Sequence, residues 1–385
     1  MLAAVDVLIY GDTDTSPALR HELPLAIVDP FLYLEHEGRR AVVTHAAEEA
    51  RVQAAAPGIE RLLLERLGYD QMLEEGRPRE EVEIEVSLRA ARELGVRAAR
   101  VPGEFPLQLA DALRADGVAL TPDAQLFTAR RRRKSPAELD GIKRATDAAL
   151  EGFAEAARIL RESQISTDGL VFEGDPLTAE ALRARIREVC ARVGAPAPSD
   201  IIVREAGPEA PLGHDPGAGL LHAHQPIEID VWPRDERSGC WSDMTRTFVR
   251  GEISDAVAGL HELVLEAHRK ACDAVAPGAA AGGLFDIACD VFERAGHPTQ
   301  RTLEPGGTLT EGFYWSLGHG VGLQVHEAPV LGRGDRELLV EGDVLAVEPG
   351  SYRPGVGATR VEDLLLVTDG GSVSLTGGFP HGLTP

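Results

Sequence analysis

Cysteine, positive charge and long apolar runs are scarce in this chain of 385 residues. Its four cysteines, Cys190, Cys240, Cys272 and Cys289, lie far apart with no Cys-x-x-Cys pair. That excludes a disulfide scaffold and a zinc-finger frame and fits a reducing compartment. Lys and Arg number 39 against 62 Asp and Glu, a formal net charge of −23. Neutralising phosphate takes clustered cations, so no nucleic-acid partner is expected. The same excess of carboxylate suits divalent cations wherever several acids are held close together. No apolar run reaches the roughly 18 residues of a membrane span, so no membrane partner is expected. The start, MLAAVDVLIYGDTDTSPALR, lacks a basic leader. The expectation is a cytoplasmic chain without a signal peptide.

What is present is an ordinary globular composition, 43% hydrophobic and 26% charged, in a length that points to two domains. The first 128 residues alternate strand-like runs (VDVLIY, LAIVDPFLYLE, RRAVVTH, VRAARVPG, DGVALTPD) with stretches that read as helix (AEEARVQAAA, IERLLLERLG, EVEIEVSLRAARELG). This is an α/β domain, and it carries neither a phosphate-binding glycine loop nor a catalytic cluster. Five basic residues, Arg130 to Lys134, then read as a solvated interdomain connection. Ser135-Pro136-Ala137-Glu138 has the form of a capping box, and Leu139, Ile142, Leu150, Phe153 and Leu160 follow at helical spacing. The domain boundary is placed at 134, giving domains 1–134 and 135–385. In the second, helices are expected around 178–194, 254–275 and 281–295, separated by strands that hold most of the chemically interesting residues. His261 and His268, seven apart on one of those helices, read as surface or packing residues.

IEIDVWPRDERSGCWSDMTRTF reads as a β-hairpin with Glu228, Asp230 and Trp232 on one face. A turn centred on 235–238 sets Asp230 directly opposite Asp243 and Trp232 opposite Trp241, and opposed side chains stand about 5 Å apart. Two carboxylates that close need a shared proton or a cation. The plain alternative is a solvent-facing hairpin with coincidental acids. A second hairpin, DVLAVEPGSYRPGVGATRVEDLLLV, carries Glu348 at the end of one apolar strand and Glu362 within another. Buried acids there need partners, and Arg360 is one candidate. LGHGVGLQVHEAP places His319 and His326 an odd number of residues apart, on opposite faces of a straight strand; glycines at 318, 320 and 322 permit a bend that unites the rings. Asp230, Asp243, Glu348 and Glu362 together neutralise two divalent cations, and His319 completes a five-ligand set of the kind two-metal hydrolases use.

These residues, in this order, resemble the pita-bread metallopeptidases, in particular the Xaa-Pro dipeptidase and Xaa-Pro aminopeptidase branch. SDMTRTF, GHGVGLQVHEAP, AVEPGSY and TRVED carry the resemblance across the whole second domain. It implies an α/β N-terminal creatinase-like domain followed by an α+β pita-bread catalytic domain. It further implies two divalent metal ions, Mn²⁺ first and Co²⁺, Zn²⁺ or Fe²⁺ as other occupants, and a homodimer acting on a small peptide substrate. On the resemblance, Asp230 is the terminal ligand of one metal, Asp243 and Glu362 bridge, and His319 and Glu348 complete the other. A hydroxide bridging the metals is then the nucleophile, Glu348 shuttles the proton, His326 stabilises the tetrahedral intermediate and His214 helps bind substrate. Tyr352 matches a tyrosine often found beside the site.

The chain departs from the family pattern in three places. Asp230 and Asp243 are thirteen apart, two residues longer than the family's usual interval, which keeps the pairing parity. Trp315 stands where proline-specific members often have a histidine, four residues before His319, and so bears on substrate choice. A carboxylate-binding arginine is open among Arg333, Arg336 and Arg360. The leading reading is hydrolysis of Xaa-Pro dipeptides or N-terminal Xaa-Pro bonds. The alternatives are a metal-dependent dipeptidase with a non-proline preference, a metal-free creatinase-like amidinohydrolase and a non-enzymatic pita-bread binding module.

Overall fold

The structure is a computed structural model describing residues 5–210, 213–304 and 306–385. Residues 1–4, in the stretch read for a leader, and residues 211 and 212 beside His214 lie outside that description. The chain divides into two compact units, Met1–Arg131 and Arg132–Pro385.

In the first unit, six strands form one mixed sheet in the order β4-β3-β2-β1-β5-β6: β1 (Val7–Gly11), β2 (Phe31–His36), β3 (Arg39–Thr44), β4 (Glu60–Leu63), β5 (Ala98–Val101) and β6 (Ala119–Pro122). Around it run α1 (Pro17–Glu22), α2 (Glu49–Ala55), α3 (Tyr69–Glu74), α4 (Arg79–Leu94), α5 (Leu107–Ala115) and α6 (Ala124–Arg132). Two sequence expectations need correction here. IERLLLERLG is not a helix: Glu60–Leu63 pairs parallel with Ala41–Thr44 as an edge strand. Short apolar runs are ambiguous in period, and an available sheet edge decides them. LAIVDPFLYLE is strand only from Phe31, because Pro30 breaks the ladder and Val28 is 78% exposed.

The basic run Arg130–Lys134 is also not a solvated connection. Arg130 lies 2.7 Å from Glu22 and 2.9 Å from Glu35. Arg132 meets Asp343 at 2.6 Å, and Lys134 is buried against Glu327. Of the five, Arg133 is the one on the surface.

The second unit opens with α7 (Pro136–Glu162), whose capping box forms as expected: Glu138 N–H donates to Ser135 Oγ at 3.2 Å, and Ser135 N–H to Glu138 Oε2 at 2.7 Å. A small sheet follows: β7 (Gln164–Ser166), β8 (Gly169–Phe172) and β9 (Asp175–Pro176). Next come α8 (Ala179–Arg192) and an antiparallel sheet of β10 (Ile202–Glu205), β11 (Pro226–Val231) and β12 (Met244–Val249). Helices α9 (Asp255–Asp273) and α10 (Ala281–Arg294) pack through Val264, Ala267, Leu284 and Phe285.

The remaining strands are β13 (Gly318–Gly320), β14 (Glu327–Leu331), β15 (Val344–Val347), β16 (Gly350–Arg353), β17 (Gly357–Arg360), β18 (Asp363–Thr368) and β19 (Gly371–Ser374). Five of them form an antiparallel sheet in the order β14-β13-β15-β18-β19, while β16 and β17 pair separately. The second hairpin therefore changes sheets midway. Glu348 sits at one switch, just after β15, and Glu362 at the other, just before β18 rather than within a strand. An isolated bridge, Thr245 to Glu362, joins β12 to this region, beside hydrogen bonds between Thr247 and Arg360.

Candidate active site

Both faces of β11 and β12 are buried, so the acids there do not face solvent: Glu228 is 2% exposed, and Asp230 and Asp243 5% each. Their register differs from the expected one. Asp230 pairs with Thr245, and Arg234 bridges to Trp241, so Asp243 lies diagonally from Asp230 instead of opposite it. The turn sits further along than 235–238 because Asp235 organises it. Its carboxylate accepts from Ser238 N–H and Oγ, Arg144 holds it from α7 at 2.8 Å, and Gly239 takes a left-handed φ of +76°. A shift of this kind preserves parity, so both carboxylates still share a face.

Asp230, Asp243 and Glu362 offer oxygens that lie within 4.8 Å of one another, and so do the ligand atoms of His319, Glu348 and Glu362. Glu362 belongs to both triads. Asp230 Oδ1 and Asp243 Oδ1 are buried without a hydrogen-bond partner, a costly state that a bound cation relieves. His319 Nδ1 lies 3.1 Å from the Gly320 carbonyl, which places the proton on Nδ1 and turns the Nε2 lone pair toward Glu348 at 3.7 Å and Asp243 at 3.8 Å. The donor set fits divalent metals, oxygen-rich with one imidazole.

Electrostatics agree with that fit. In the metal-free chain, burial first and neighbouring carboxylates second hold Asp243 and Glu362 well above the usual carboxylate range. Glu348 is pushed up to about 8, chiefly by burial, with Arg360 opposing. Glu228 goes the other way: burial raises it, but Arg360 and Arg204 more than offset that. Burial, then His326, lowers His319 to about 4, so its imidazole is neutral and ready to ligate.

His319 and His326 are brought together, with ring centroids 4.3 Å apart. The glycines contribute the expected bend and a second property besides. The ladder carries a bulge between His319 and Gly320. The requirement at Gly320, however, is room: a Cβ there would meet the Ala328 carbonyl oxygen at 2.3 Å, and one at Gly318 would meet the Ala346 oxygen at 1.9 Å. Strand β13 is squeezed between β14 and β15, and only glycine allows the approach.

A cavity of about 400 Å³ opens over these groups. His214 lines it, its ring 5.2 Å from that of Trp232. Trp315 lines it as well and donates from Nε1 to the Glu348 carbonyl at 3.2 Å. Tyr352 points elsewhere: its hydroxyl donates to the Pro208 carbonyl at 3.0 Å. Of the three candidate arginines, Arg360 alone faces the cavity. It is bound to Asp230 and lies 3.4 Å from Glu228 and Glu348, while Arg333 donates to the Gln300 carbonyl. Sequence reasoning missed Arg204 and Tyr314, which also line the cavity. A lone arginine in DIIVREAG has no signal until β10 pairs it with Glu228. His222 and His224 lie in a loop outside the cavity, and His261 and His268 are buried away from it, at 3% and 5% exposure.

The profile of Metallopeptidase family M24 matches residues 140–369, more than half of the chain. The protein belongs to that family. Among curated relatives, the Xaa-Pro dipeptidase of Pyrococcus horikoshii is 41% identical over 135 residues, a stretch that spans 35% of each chain. The chain thus matches only about a third of that relative's length. The probable dipeptidase PepE of Mycobacterium bovis is 30% identical over 287 residues, covering 74% of this chain and 68% of the relative. Among solved structures, the Xaa-Pro dipeptidase from Bacillus anthracis superposes with a TM-score of 0.77 over 98% of this chain and 94% of that one, at 22% identity. The architecture is therefore the two-domain one expected, an N-terminal α/β domain and a pita-bread catalytic domain.

Proposed function

We propose that the chain is a dinuclear-metal peptidase that hydrolyses short peptides, foremost Xaa-Pro dipeptides or N-terminal Xaa-Pro bonds. The observation that carries this reading is the pair of overlapping ligand triads sharing Glu362 beneath a cavity sized for a small ligand. Asp230, Asp243 and Glu362 would hold one divalent ion, and His319, Glu348 and Glu362 the other. Bound metals supply a Lewis acid for the scissile carbonyl and a nucleophile available near neutral pH. Oxygen-rich ligation favours Mn²⁺.

The side chains supply the rest. Glu348, at the cavity floor, takes a proton and delivers it to the leaving amine. His326 donates to the oxygen on which charge develops. His214, its ring tilted against Trp232, orients the peptide, and Trp315 with Tyr314 walls the site against water. Relatives named Xaa-Pro dipeptidase and probable dipeptidase support this class of reaction. The proposal extends to a cytoplasmic homodimer, supported by four widely spaced cysteines that form no disulfide with one another and by the family resemblance.

A second reading, a dipeptidase with a non-proline preference, is favoured by Trp315, whose indole occupies the cavity wall. A hydrolysis panel on metal-stripped protein with and without Mn²⁺ separates them, using Xaa-Pro, Xaa-Ala, Xaa-Leu and Met-Xaa dipeptides and one Xaa-Pro-Xaa tripeptide. Metal-dependent cleavage centred on Xaa-Pro is the expected result. Equal or faster cleavage of Xaa-Ala overturns the proline preference, and no cleavage with any metal overturns the peptidase reading.

A further inference from the structure

A second cluster of ligating side chains lies behind the first. Asp363 follows Glu362 in sequence and points to the other side of the sheet, toward α9 and the C-terminal segment. Its Oδ2 is 2.8 Å from His381 Nε2 and 3.4 Å from His268 Nε2. Nε2 of His268 is in turn 3.5 Å from Cys272 Sγ. His268 and Cys272 are four residues apart on α9, so they share one face of the helix. The ligand atoms of His268, Asp363 and His381 lie within 4.8 Å of one another, at the edge of a cavity of about 330 Å³.

We propose that His268, Cys272, Asp363 and His381 form a mononuclear site for a Zn²⁺-type ion, separate from the paired carboxylate centre. The spacing supports it. Around tetrahedral zinc, nitrogen and oxygen ligands stand about 3.3 Å apart, and nitrogen and sulfur about 3.5 Å, given the usual bond lengths. The His268 to Asp363 and His268 to Cys272 distances already match those edges; His381 has to retreat from Asp363 by about 0.5 Å, and the Cys272 thiol, which stands outside the His268–Asp363–His381 group, has to turn in toward the other two ligands.

Without an ion, Nε2 of the buried His268 shares a sulfur hydrogen bond with Cys272 Sγ at 3.5 Å and lies 3.4 Å from Asp363 Oδ2, too far for a normal hydrogen bond, so both groups already converge on one nitrogen. The other oxygen of Asp363 is already occupied, since Arg246 Nη2 donates to Oδ1 at 2.7 Å and Thr376 Oγ1 at 2.8 Å. Those bonds aim Oδ2 at the imidazoles, as outer partners of a metal ligand do. The backbone around His381 is fixed as well: its carbonyl accepts from His261 Nε2 at 2.7 Å, and the Pro380 carbonyl accepts from Arg246 Nε at 3.0 Å.

Two imidazoles and a thiol select zinc, cobalt or copper over manganese. Binding displaces the thiol proton of Cys272 to solvent and leaves a thiolate on the ion. The ion ties the C-terminal segment to α9, so its role is to brace the sheet that presents Glu362.

The test is a Co²⁺ titration of the metal-stripped, full-length chain, read by absorption. No thiolate is available in the carboxylate centre, so a thiolate-to-Co²⁺ charge-transfer band reports this site alone. The expected result is that band together with strong tetrahedral visible bands, present equally in Asp243→Ala. The band is lost in Cys272→Ser, and Co²⁺ binding that produces it is at least tenfold weaker in His381→Ala, a change at a side chain 35% exposed that leaves the core intact. Absence of the band, or a band unchanged by both Cys272→Ser and His381→Ala, overturns the proposal. Neither result depends on whether the protein cleaves peptides.

Discussion

Replacing Gly320 with alanine adds one methyl group and should disable the candidate centre. The added Cβ would stand 2.3 Å from the Ala328 oxygen, 2.7 Å from its carbonyl carbon and 2.9 Å from the Glu327 oxygen. All three are backbone atoms of β14, so no side chain can swing aside. Restoring an ordinary contact of 3.4 Å means moving β13 by about 1 Å. His319 is the preceding residue, and metal–ligand distances are held to within about 0.2 Å. A displacement near 1 Å in a reacting constellation costs about 100-fold in rate. Overpacking of this kind also costs about 1–3 kcal/mol of stability. Gly320→Ala should therefore lower kcat/KM toward an Xaa-Pro dipeptide about 100-fold at saturating Mn²⁺, weaken Mn²⁺ binding, and shift the urea midpoint downward. A variant with parental Mn²⁺ affinity and kcat/KM within twofold of the parent would refute the close-approach reasoning.

Other substitutions probe the scaffold. Gly259, in the first turns of α9, is exposed and has nothing within 4 Å of a Cβ position, so Gly259→Ala should raise stability by about 0.5–1 kcal/mol in a denaturant melt; a loss would contradict the helix assignment. Lys134 and Glu327 have side chains 1% and 2% exposed. Lys134→Met leaves that carboxylate buried without this cation and should cost about 3–5 kcal/mol, whereas adding Glu327→Gln should recover part of it. Burial, with Arg353 beside it, holds His297 below its ordinary 6.5, and its Nδ1 lies 2.9 Å from Ser351 Oγ. Between the folded value and 6.5 the unfolded chain binds the extra proton, so this contribution is complete above 6.5 and is lost as pH falls through that window. His297→Gln should flatten the stability profile there, and an unchanged slope would contradict it.

The sequence was most legible where local rules act alone. Ser135 and Glu138 cap α7 because both bonds close within three residues. The ligand carboxylates are visible because an acid inside an apolar strand demands a partner. What escaped depends on long-range placement. Asp230 and Asp243 satisfy either of two registers of equal parity, and only Asp235, pinned by Arg144 from α7, decides between them. Glu60–Leu63 becomes strand because β3 offers an edge. His268, Cys272, Asp363 and His381 come from a helix, a strand and the last few residues of the chain, so no spacing along the sequence announces them. The bend beside His319 is legible from its glycines, but the close approach that uses their missing side chains depends on β14 and β15 and has no signal along the chain.

Equilibrium binding of Mn²⁺ to metal-stripped protein, with turnover measured on the same samples, addresses the shared-ligand centre most directly. Glu362 belongs to both triads, whereas His326, although its ligand atom also lies within 4.8 Å of those of Asp243 and His319, is assigned to the substrate. The wild type should bind two Mn²⁺ per chain and cleave Xaa-Pro dipeptide; Glu362→Gln should lose tight binding of both ions, and His326→Ala should keep both while losing turnover. A wild type that never takes up more than one Mn²⁺, or a Glu362→Gln variant that retains two, would contradict the centre described above.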